Sequence, residues 1–309
     1  MTGSRWPIAL LAVACAAVFL VACGSGATAT SGRTVVATTT QLGDLARAVA
    51  GSRADVRQIL EPNADPHAYE PRPSDVRAVG GATVVVRSGG DLDAWLDDVL
   101  RNAGSDARTL TIIDALRPRR EAGGVDAHWW QDPRRAAVAV AAIRDALIAA
   151  DPAGRAAYAA NAGRYLRRLR ALDRAIAACM ARIPARRRRL VTDHDALGYY
   201  ADRYGIEVIG TVIPALSTQA QASGGEVARL VRTIRSAGVS TIFPESSANP
   251  KLTRAIARDA GARVGPPLYA DSLGPRGSPG ATYLGSLRAN TEALVAGFGG
   301  TGRRCALPR

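Results

Sequence analysis

The chain has 309 residues, of which 47% are hydrophobic and 22% are charged, and this balance excludes a wholly disordered chain. The one run apolar enough to enter a membrane lies at the N-terminus, which excludes a polytopic membrane protein. The formal charge is +13, but the arginines are scattered apart from Arg186–Arg189 and aromatic residues make up only 5%. We therefore expect no nucleic-acid partner.

The first 22 residues have the pattern of an export signal. Arg5 precedes an apolar run at residues 7–22, and small residues lead to Cys23. The tetrapeptide that ends at Cys23 (LVAC) resembles the lipobox of bacterial lipoproteins, which implies cleavage after residue 22 and lipidation of Cys23. Residues 23–33 are typical of a flexible tether. We expect an exported protein that a lipid anchor holds on the outer face of the cytoplasmic membrane.

Two further cysteines, Cys179 and Cys305, lie outside the export signal and the lipidation site. Exported proteins often pair such cysteines, so we predict a disulfide that would pin the C-terminus to the helix carrying Cys179. The sequence leaves open whether the two Cα atoms approach closely enough for this bond.

The first half of the body alternates short strands with helices. Strands are predicted at residues 34–40, 54–60, 82–87 and 108–113, and helices at 42–50 and 91–102. Strands that alternate with helices predict a parallel sheet with crossover helices. We place this N-terminal α/β lobe at residues 34–152.

A long helical zone follows, from Pro133 to about Arg182. Asp132-Pro133 and Asp151-Pro152 each offer a capping acceptor followed by proline, so we predict two helices. The second helix, at residues 153–183, would link the two halves over about 45 Å. Its residues at helical spacing form one apolar stripe. The stripe consists of Tyr158, Tyr165, Leu169, Leu172, Ile176 and Met180.

The alternation of strands and helices then resumes in residues 184–309, the predicted C-terminal α/β lobe. Strands are predicted at 189–193, 206–213, 241–245 and 263–269, and helices at 196–204, 225–237, 251–260 and 283–296. The fold class is therefore α/β, with two lobes and one long helix between them.

The chain has only three histidines, His67, His128 and His194, and each follows an aspartate by one or two positions. Each lies at or just after the predicted end of a strand, where α/β proteins bind their ligands, and Asp271 occupies a similar position. Three imidazoles at that edge predict a nitrogen-rich metal site. The four residues are too far apart for a local metal motif, so only the folded chain could assemble them.

Four local sequences resemble the ligand loops of the metal-binding lipoproteins of bacterial ABC importers for zinc and manganese. They are residues 61–71 (EPNADPHAYEP), 126–133 (DAHWWQDP), 193–200 (DHDALGYY) and 269–274 (YADSLG). The resemblance covers about residues 34–296. It implies two Rossmann-like lobes joined by one long rigid helix, with one metal ion in the cleft between the lobes. The ligands it implies are His67, His128, His194 and Asp271.

Three imidazoles and one carboxylate suit tetrahedral Zn²⁺, whereas Mn²⁺ prefers more oxygen ligands. A histidine at position 194 therefore favours zinc. The histidine-rich loop of many zinc-binding members is absent between His67 and His128, which weakens this assignment. Manganese is the alternative, with extra oxygen from bidentate Asp271 or from Glu245.

The aspartates beside the histidines could orient an imidazole by accepting its second N–H, or could cap the helix that follows. These aspartates are Asp65, Asp126, Asp193 and Asp195. Glu245 is expected to support a ligand or cap a helix. Trp129 and Trp130 could shield the site from water or pack between the lobes.

The resemblance implies a receptor that captures Zn²⁺ and delivers it to a membrane permease driven by an ATPase. We expect a monomer that is not an enzyme, with small lobe motions because the linking helix limits bending. A zinc-dependent hydrolase is the alternative from another class, with Glu245 as its general base, but a fourth protein ligand would close the position that water needs. A surface adhesin is the remaining alternative.

Overall fold

The computed structural model describes residues 1–3, 32–121, 124–299 and 305–308. The predicted lipidation site Cys23 and residues 4–22 of the predicted export signal lie outside these ranges. Within the described ranges, no helix combines the length and the apolar character needed to cross a membrane.

The N-terminal lobe is built on four short parallel strands. The strands are β1 Thr34–Ala37, β2 Asp55–Gln58, β3 Val84–Arg87 and β4 Arg108–Thr111. The helices between them are α1 Thr40–Ala50, α2 Pro73–Gly80 and α3 Leu96–Ala103. The sheet order is β2-β1-β3-β4, and the valine-rich strands β1 and β3 lie buried at its centre, as expected for a parallel sheet covered on both faces.

A two-residue hairpin and two long helices follow this sheet. The hairpin pairs β5 Arg120–Glu121 with β6 Gly124–Val125, and the helices are α4 Pro133–Ala150 and α5 Arg155–Ala181. Asp132 caps α4 by accepting from the backbone N–H of Arg134, which confirms the predicted start. All six residues of the predicted stripe on α5 are buried, and each contributes about 1.5–3 kcal/mol of transfer free energy relative to full exposure.

The C-terminal lobe repeats the arrangement of the first. Its strands are β7 Arg189–Thr192, β8 Glu207–Thr211, β9 Thr241–Ile242 and β10 Arg263–Val264. Its helices are α6 Gly198–Tyr204, α7 Gly224–Ala237, α8 Lys251–Ala260 and α9 Tyr283–Gly299. Parallel pairs β7–β8 and β9–β10 are connected by a bridge between Thr192 and Phe243, so the strand order is β8-β7-β9-β10.

Helix α5 joins the two lobes by direct packing. It contacts α1 and α4 of the first lobe and α6 and α9 of the second. A disulfide joins Cys179, near the end of α5, to Cys305 across a Cα–Cα distance of 5.8 Å, a usual separation for this bond. The predicted class of two α/β lobes with one long linking helix is confirmed. The residue limits assigned to the lobes, 34–152 and 184–309, stay a prediction.

Two predicted strands of the second lobe are too long. The strand predicted at 241–245 ends at Ile242 and continues only as single bridges, since Pro244 lacks an amide donor. The strand predicted at 263–269 ends at Val264, just before Pro266 and Pro267. The prolines shorten the ladders and leave the following residues as loops that approach the cleft.

Two helices of the first lobe also differ from prediction. The helix predicted at 91–102 begins only at Leu96. Its predicted first residue, Asp91, has a positive φ angle that a right-handed helix excludes. Helix α2 was not predicted, although it begins with Pro73 and Asp75 accepts from the backbone N–H of Arg72.

Candidate metal centre

The three histidines and Asp271 come from four loops at the carboxyl ends of the strands. His67 lies in a short 3₁₀ turn after β2, and Asp65 caps this turn by accepting from the backbone N–H of His67 at 2.9 Å. His128 leads into a second 3₁₀ turn before α4, and Asp126 accepts from its backbone N–H in the same way. His194 follows β7, and Asp271 follows the bridge at Leu268.

The folded chain brings these four residues into one cluster, whose ligand atoms lie within 4.8 Å of one another. Nε2 of His128 is 3.4 Å from Nε2 of His67 and 3.3 Å from Nε2 of His194. The Asp271 carboxylate lies 3.3 to 3.4 Å from all three Nε2 atoms. Three nitrogen donors and one carboxylate thus surround a space that suits one small cation.

Two of the imidazoles are oriented by carboxylates behind them. The Nδ1–H of His128 donates to Asp126 at 2.8 Å, and the Nδ1–H of His194 donates to Glu245 at 2.6 Å. When such a ring is neutral, the carboxylate keeps its one proton on Nδ1, so the lone pair of Nε2 faces the cluster. Glu245 is held in turn by Asp193, which accepts from its backbone N–H at 2.8 Å.

The cluster is almost sealed from solvent. The side chains of His128, His194 and Asp271 are fully buried, whereas His67 keeps 9% of its side chain exposed. Neither carboxylate oxygen of Asp271 forms a hydrogen bond of good geometry with the described residues. A buried carboxylate without donors is costly, and a cation between it and the imidazoles would satisfy it.

The electrostatics of the metal-free cluster favour protonated imidazoles. Burial lowers the pKa of His128, but the carboxylates of Asp126 and Asp271 outweigh it and raise this pKa to about 10. Burial likewise lowers the pKa of His194, and the charges of Asp271 and Glu245 raise it to about 9. Burial raises the pKa of Asp271, but the neighbouring imidazoles bring it well below its usual value. A bound divalent cation would take the place of the protons.

The two tryptophans take different positions at the site. Trp130 meets the His128 ring edge to face at 5.4 Å between ring centroids, and its Nε1–H donates to the carbonyl of Ala270 at 2.8 Å. Trp129 is also buried, but its Nε1–H donates to Ser88 inside the first lobe. Trp130 is therefore the tryptophan that lies against the cluster and covers it from water. Its hydrogen bond to Ala270 also joins the His128 loop to the Asp271 loop.

Three of the predicted aspartates hold loops and do not bind imidazole rings. Besides the His67 backbone, Asp65 accepts from the hydroxyl of Thr218 at 2.7 Å. Asp193 accepts from the hydroxyl of Thr253 and from the backbone N–H of Glu245. Asp195 holds its loop through its backbone N–H, which donates to the carbonyl of Ala215.

The sequence did not point to Thr218 or Gln219, although both reach the ligand loop of the other lobe. The Nε2 amide of Gln219 donates to the carbonyl of His67 at 2.7 Å. These two residues belong to a short polar segment at residues 217–219 (STQ), and such segments are too common in sequences to identify contacts between lobes.

Two parallel-stranded lobes with a buried cluster of three imidazoles and a carboxylate define a metal-binding protein. The chain belongs to the family described as "Zinc-uptake complex component A periplasmic" (ZnuA), whose sequence model matches residues 35–297. Members of this family are the metal-binding solute receptors of ABC importers and are not enzymes.

The similarity extends along nearly the whole chain. The manganese-binding lipoprotein MntA of Halalkalibacterium halodurans is 32% identical over 289 residues, 91% of this chain and 95% of that protein. The iron-binding protein YfeA of Yersinia pestis is 30% identical over 270 residues, 86% of each chain. The structure of the periplasmic zinc-binding protein TroA from Treponema pallidum matches with a TM-score of 0.81 and 26% identity, covering 86% of this chain and 99% of that one. These three relatives are named for three different metals.

Proposed function

We propose that this chain captures Zn²⁺ outside the cytoplasm and delivers it to an ABC permease for uptake. The observation that carries the proposal is the buried cluster of His67, His128, His194 and Asp271, with three Nε2 atoms and one carboxylate facing a common centre. We assign all four residues as ligands of the transported ion.

The spacing of the donors supports zinc. A tetrahedron with bonds of about 2.0–2.1 Å, the usual zinc–imidazole length, has edges of about 3.3–3.4 Å. The two contacts of His128 Nε2 with the other imidazoles and the three contacts of the Asp271 carboxylate with the imidazoles all lie in this range. Glu245 is engaged behind the ring of His194 and so supplies no second carboxylate to the centre, as manganese would prefer.

Manganese is the second candidate, and one geometric feature favours it. The Asp271 carboxylate uses Oδ2 toward His67 and His194 and Oδ1 toward His128, so both oxygens face the centre. A bidentate carboxylate would raise the coordination number to five and add an oxygen donor. The manganese-binding name of the relative MntA is in keeping with this alternative.

The receptor is proposed to work on the outer face of the cytoplasmic membrane as a monomer anchored through lipidated Cys23. The lipobox-like sequence LVAC and the description of the relative MntA as a lipoprotein support the anchor. When cells are grown with a tagged fatty acid, the tag should label the unmodified chain and not a Cys23→Ala variant, because the variant lacks the thiol that the lipid would modify. Equal labelling of both chains would show that anchoring through Cys23 is wrong.

Competition calorimetry tests the choice of metal. The chain from residue 24 onward, stripped of metal, is titrated with Zn²⁺ and then with Zn²⁺ in the presence of excess Mn²⁺. We expect one tight zinc site that manganese does not displace. Manganese binding of equal or greater strength would transfer the function to manganese uptake, and the absence of a tight site for either ion would refute the proposed function.

A further inference from the structure

The four ligand loops are not held with equal strength across the cleft. The His128 and Asp271 loops are joined by buried hydrogen bonds, in which Trp130 and Gln131 donate to the carbonyl of Ala270 at 2.8 and 2.7 Å. The Asp271 loop is also tied to the first lobe by its neighbour Leu273, whose backbone N–H donates to Thr40 at 2.8 Å. These contacts join the loops of the buried residues His128 and Asp271 without involving the ion.

The His67 loop lies at the open side of the cluster. Of the four residues of the cluster, His67 is the one with a partly exposed side chain, and among the described residues the only carboxylate within ion-pair distance of its ring is that of Asp271, at 3.4 Å. A cavity of about 260 Å³ reaches the cluster at this side, lined among others by His67, His128 and Asp91 from the first lobe. Leu216 and Gln219 line it from the second lobe. An ion that enters or leaves the centre through this cavity passes His67 first.

The segment after β8 crosses from the second lobe to this loop. Its start is fixed beside His194, where the carbonyl of Ala215 accepts from the backbone N–H of Asp195 at 3.1 Å. Further along, the hydroxyl of Thr218 donates to Asp65, and the amide of Gln219 donates to the carbonyl of His67, both at 2.7 Å. Asp65 itself holds the backbone N–H of His67, so the two donors fix the residues on which the position of His67 depends.

We propose that Thr218 and Gln219 form a latch across the mouth of the cleft and set the rate at which the bound metal ion is released. This inference rests on the proposed function, since it takes the cluster as the site of the transported ion. The latch residues are positioning residues, because they touch the His67 loop and not the ion. A partner that displaces residues 217–219 would free His67 while the buried residues His128, His194 and Asp271 stay in place. Delivery of the ion would begin with this step.

The test compares release rates of Zn²⁺ from two near-isosteric variants. Thr218→Val removes the hydroxyl donor, and Gln219→Glu replaces the amide donor by an acceptor. Each zinc-loaded protein is mixed with excess chelator in a stopped-flow instrument, and fluorescence of Trp130 beside His128 reports the loss of the ion. We expect release about 2- to 10-fold faster in each single variant, the range that follows from one lost hydrogen bond, and faster still in the double variant.

Two control variants distinguish a latch from general loosening of the segment. Thr218→Ser keeps a hydroxyl and should restore the unmodified rate. Gln221→Glu places the same charge change on an exposed neighbour in the same segment and should leave the rate unchanged. The melting temperature of the metal-free protein should fall by a few degrees at most in any variant, because each variant removes at most one hydrogen bond at the rim of the cleft.

The outcomes separate the latch from the proposed function. Unchanged release in both Thr218→Val and Gln219→Glu would overturn the latch. Equal acceleration in Gln221→Glu, or a fall of more than a few degrees in the melting temperature of the metal-free protein, would also overturn it, because either result would indicate general loosening. If the unmodified chain bound no Zn²⁺ in calorimetry, the proposed function itself would fail. Tight binding with no effect of the variants would leave the proposed function standing without the latch.

Discussion

His194 and His67 present the same Nε2 atom to the cluster, but the protein holds them by different means. The His194 ring is fully buried and its Nδ1–H donates to Glu245, whereas the His67 ring is partly exposed and its loop is fixed through backbone contacts with Asp65 and Gln219. A ring fixed by a carboxylate is oriented before the ion arrives. A ring fixed by its loop moves when the loop moves. We therefore expect the buried side of the cluster, with His194, to provide affinity and the partly exposed side, with His67, to provide access.

The largest loss of zinc affinity should come from removing the buried imidazole of His194. His194→Ala deletes a nitrogen donor and leaves Glu245 buried without its partner, so we expect zinc affinity to fall by orders of magnitude. The fold should persist, because the histidine lies at the end of a strand and outside the apolar clusters. Calorimetry with circular dichroism measures both properties, and unchanged affinity would remove His194 from the ligand set.

His67→Ala tests the partly exposed side of the cluster. We expect a smaller loss of zinc affinity than in His194→Ala, because the remaining three ligands are held by buried contacts and water can reach the vacated position. The release rate should rise more than the association rate falls. Equal losses of affinity in the two variants would contradict the division into a buried and a partly exposed side.

The next largest loss of zinc affinity should come from changing the two carboxylates behind the rings, those of Glu245 and Asp126. Glu245→Gln and Asp126→Asn keep the size of each side chain but remove the charge that orients the imidazole and raises its basicity, so we expect zinc affinity to fall about 10- to 100-fold. Glu207→Gln, at an exposed position in the same lobe, is the matched control and should leave affinity unchanged. A wild-type affinity in both buried variants would show that these carboxylates play no part in metal binding.

Zinc affinity should rise with pH between about pH 6 and pH 9. In the metal-free site the pKa values of His128 and His194 are raised to about 10 and about 9, so at neutral pH both rings carry a second proton, on Nε2, in addition to the one on Nδ1. The ion must displace these protons, and a lower pH therefore weakens binding. Calorimetry in buffers of different ionisation enthalpy should report the release of about two protons per ion near neutral pH. Binding without proton release would contradict the raised pKa values.

The smallest effect on the metal should come from the disulfide. Cys179→Ser with Cys305→Ser opens a long loop at the far end of α5, so we expect a loss of about 2–5 kcal/mol in the free energy of unfolding. Zinc affinity should be unchanged, because the bond touches none of the four ligand loops. Denaturant unfolding and calorimetry check the two expectations, and a change in affinity would mean that the linking helix transmits strain to the cleft.

Much of this architecture follows from local sequence signals. The β-branched strands, the Asp-Pro helix starts and the apolar stripe of α5 predicted two parallel-stranded lobes and their linking helix. The predicted strands at 241–245 and 263–269 run across Pro244, Pro266 and Pro267, which lack the amide donor that a ladder needs, so the observed strands end before these prolines.

The site was only partly predictable for a related reason. Three histidines beside aspartates at strand ends indicate the proposed ligands, but a sequence does not show which aspartate faces a ring and which caps a loop. Asp126 reaches an imidazole, whereas Asp65 holds a backbone N–H, although both precede a histidine by two positions. Contacts that cross from one lobe to the other, such as those of Thr218 and Gln219, depend on the packing of residues about 150 positions apart and leave no local signal.

The most direct test of the account is X-ray absorption at the zinc edge on the zinc-loaded chain, combined with anomalous diffraction from its crystals. We predict one zinc ion bonded to three imidazole nitrogens and at least one carboxylate oxygen at about 2.0–2.1 Å, with the anomalous peak between Nε2 of His67, His128 and His194 and the carboxylate of Asp271. A peak elsewhere, or a first shell dominated by oxygen, would contradict the zinc site described here.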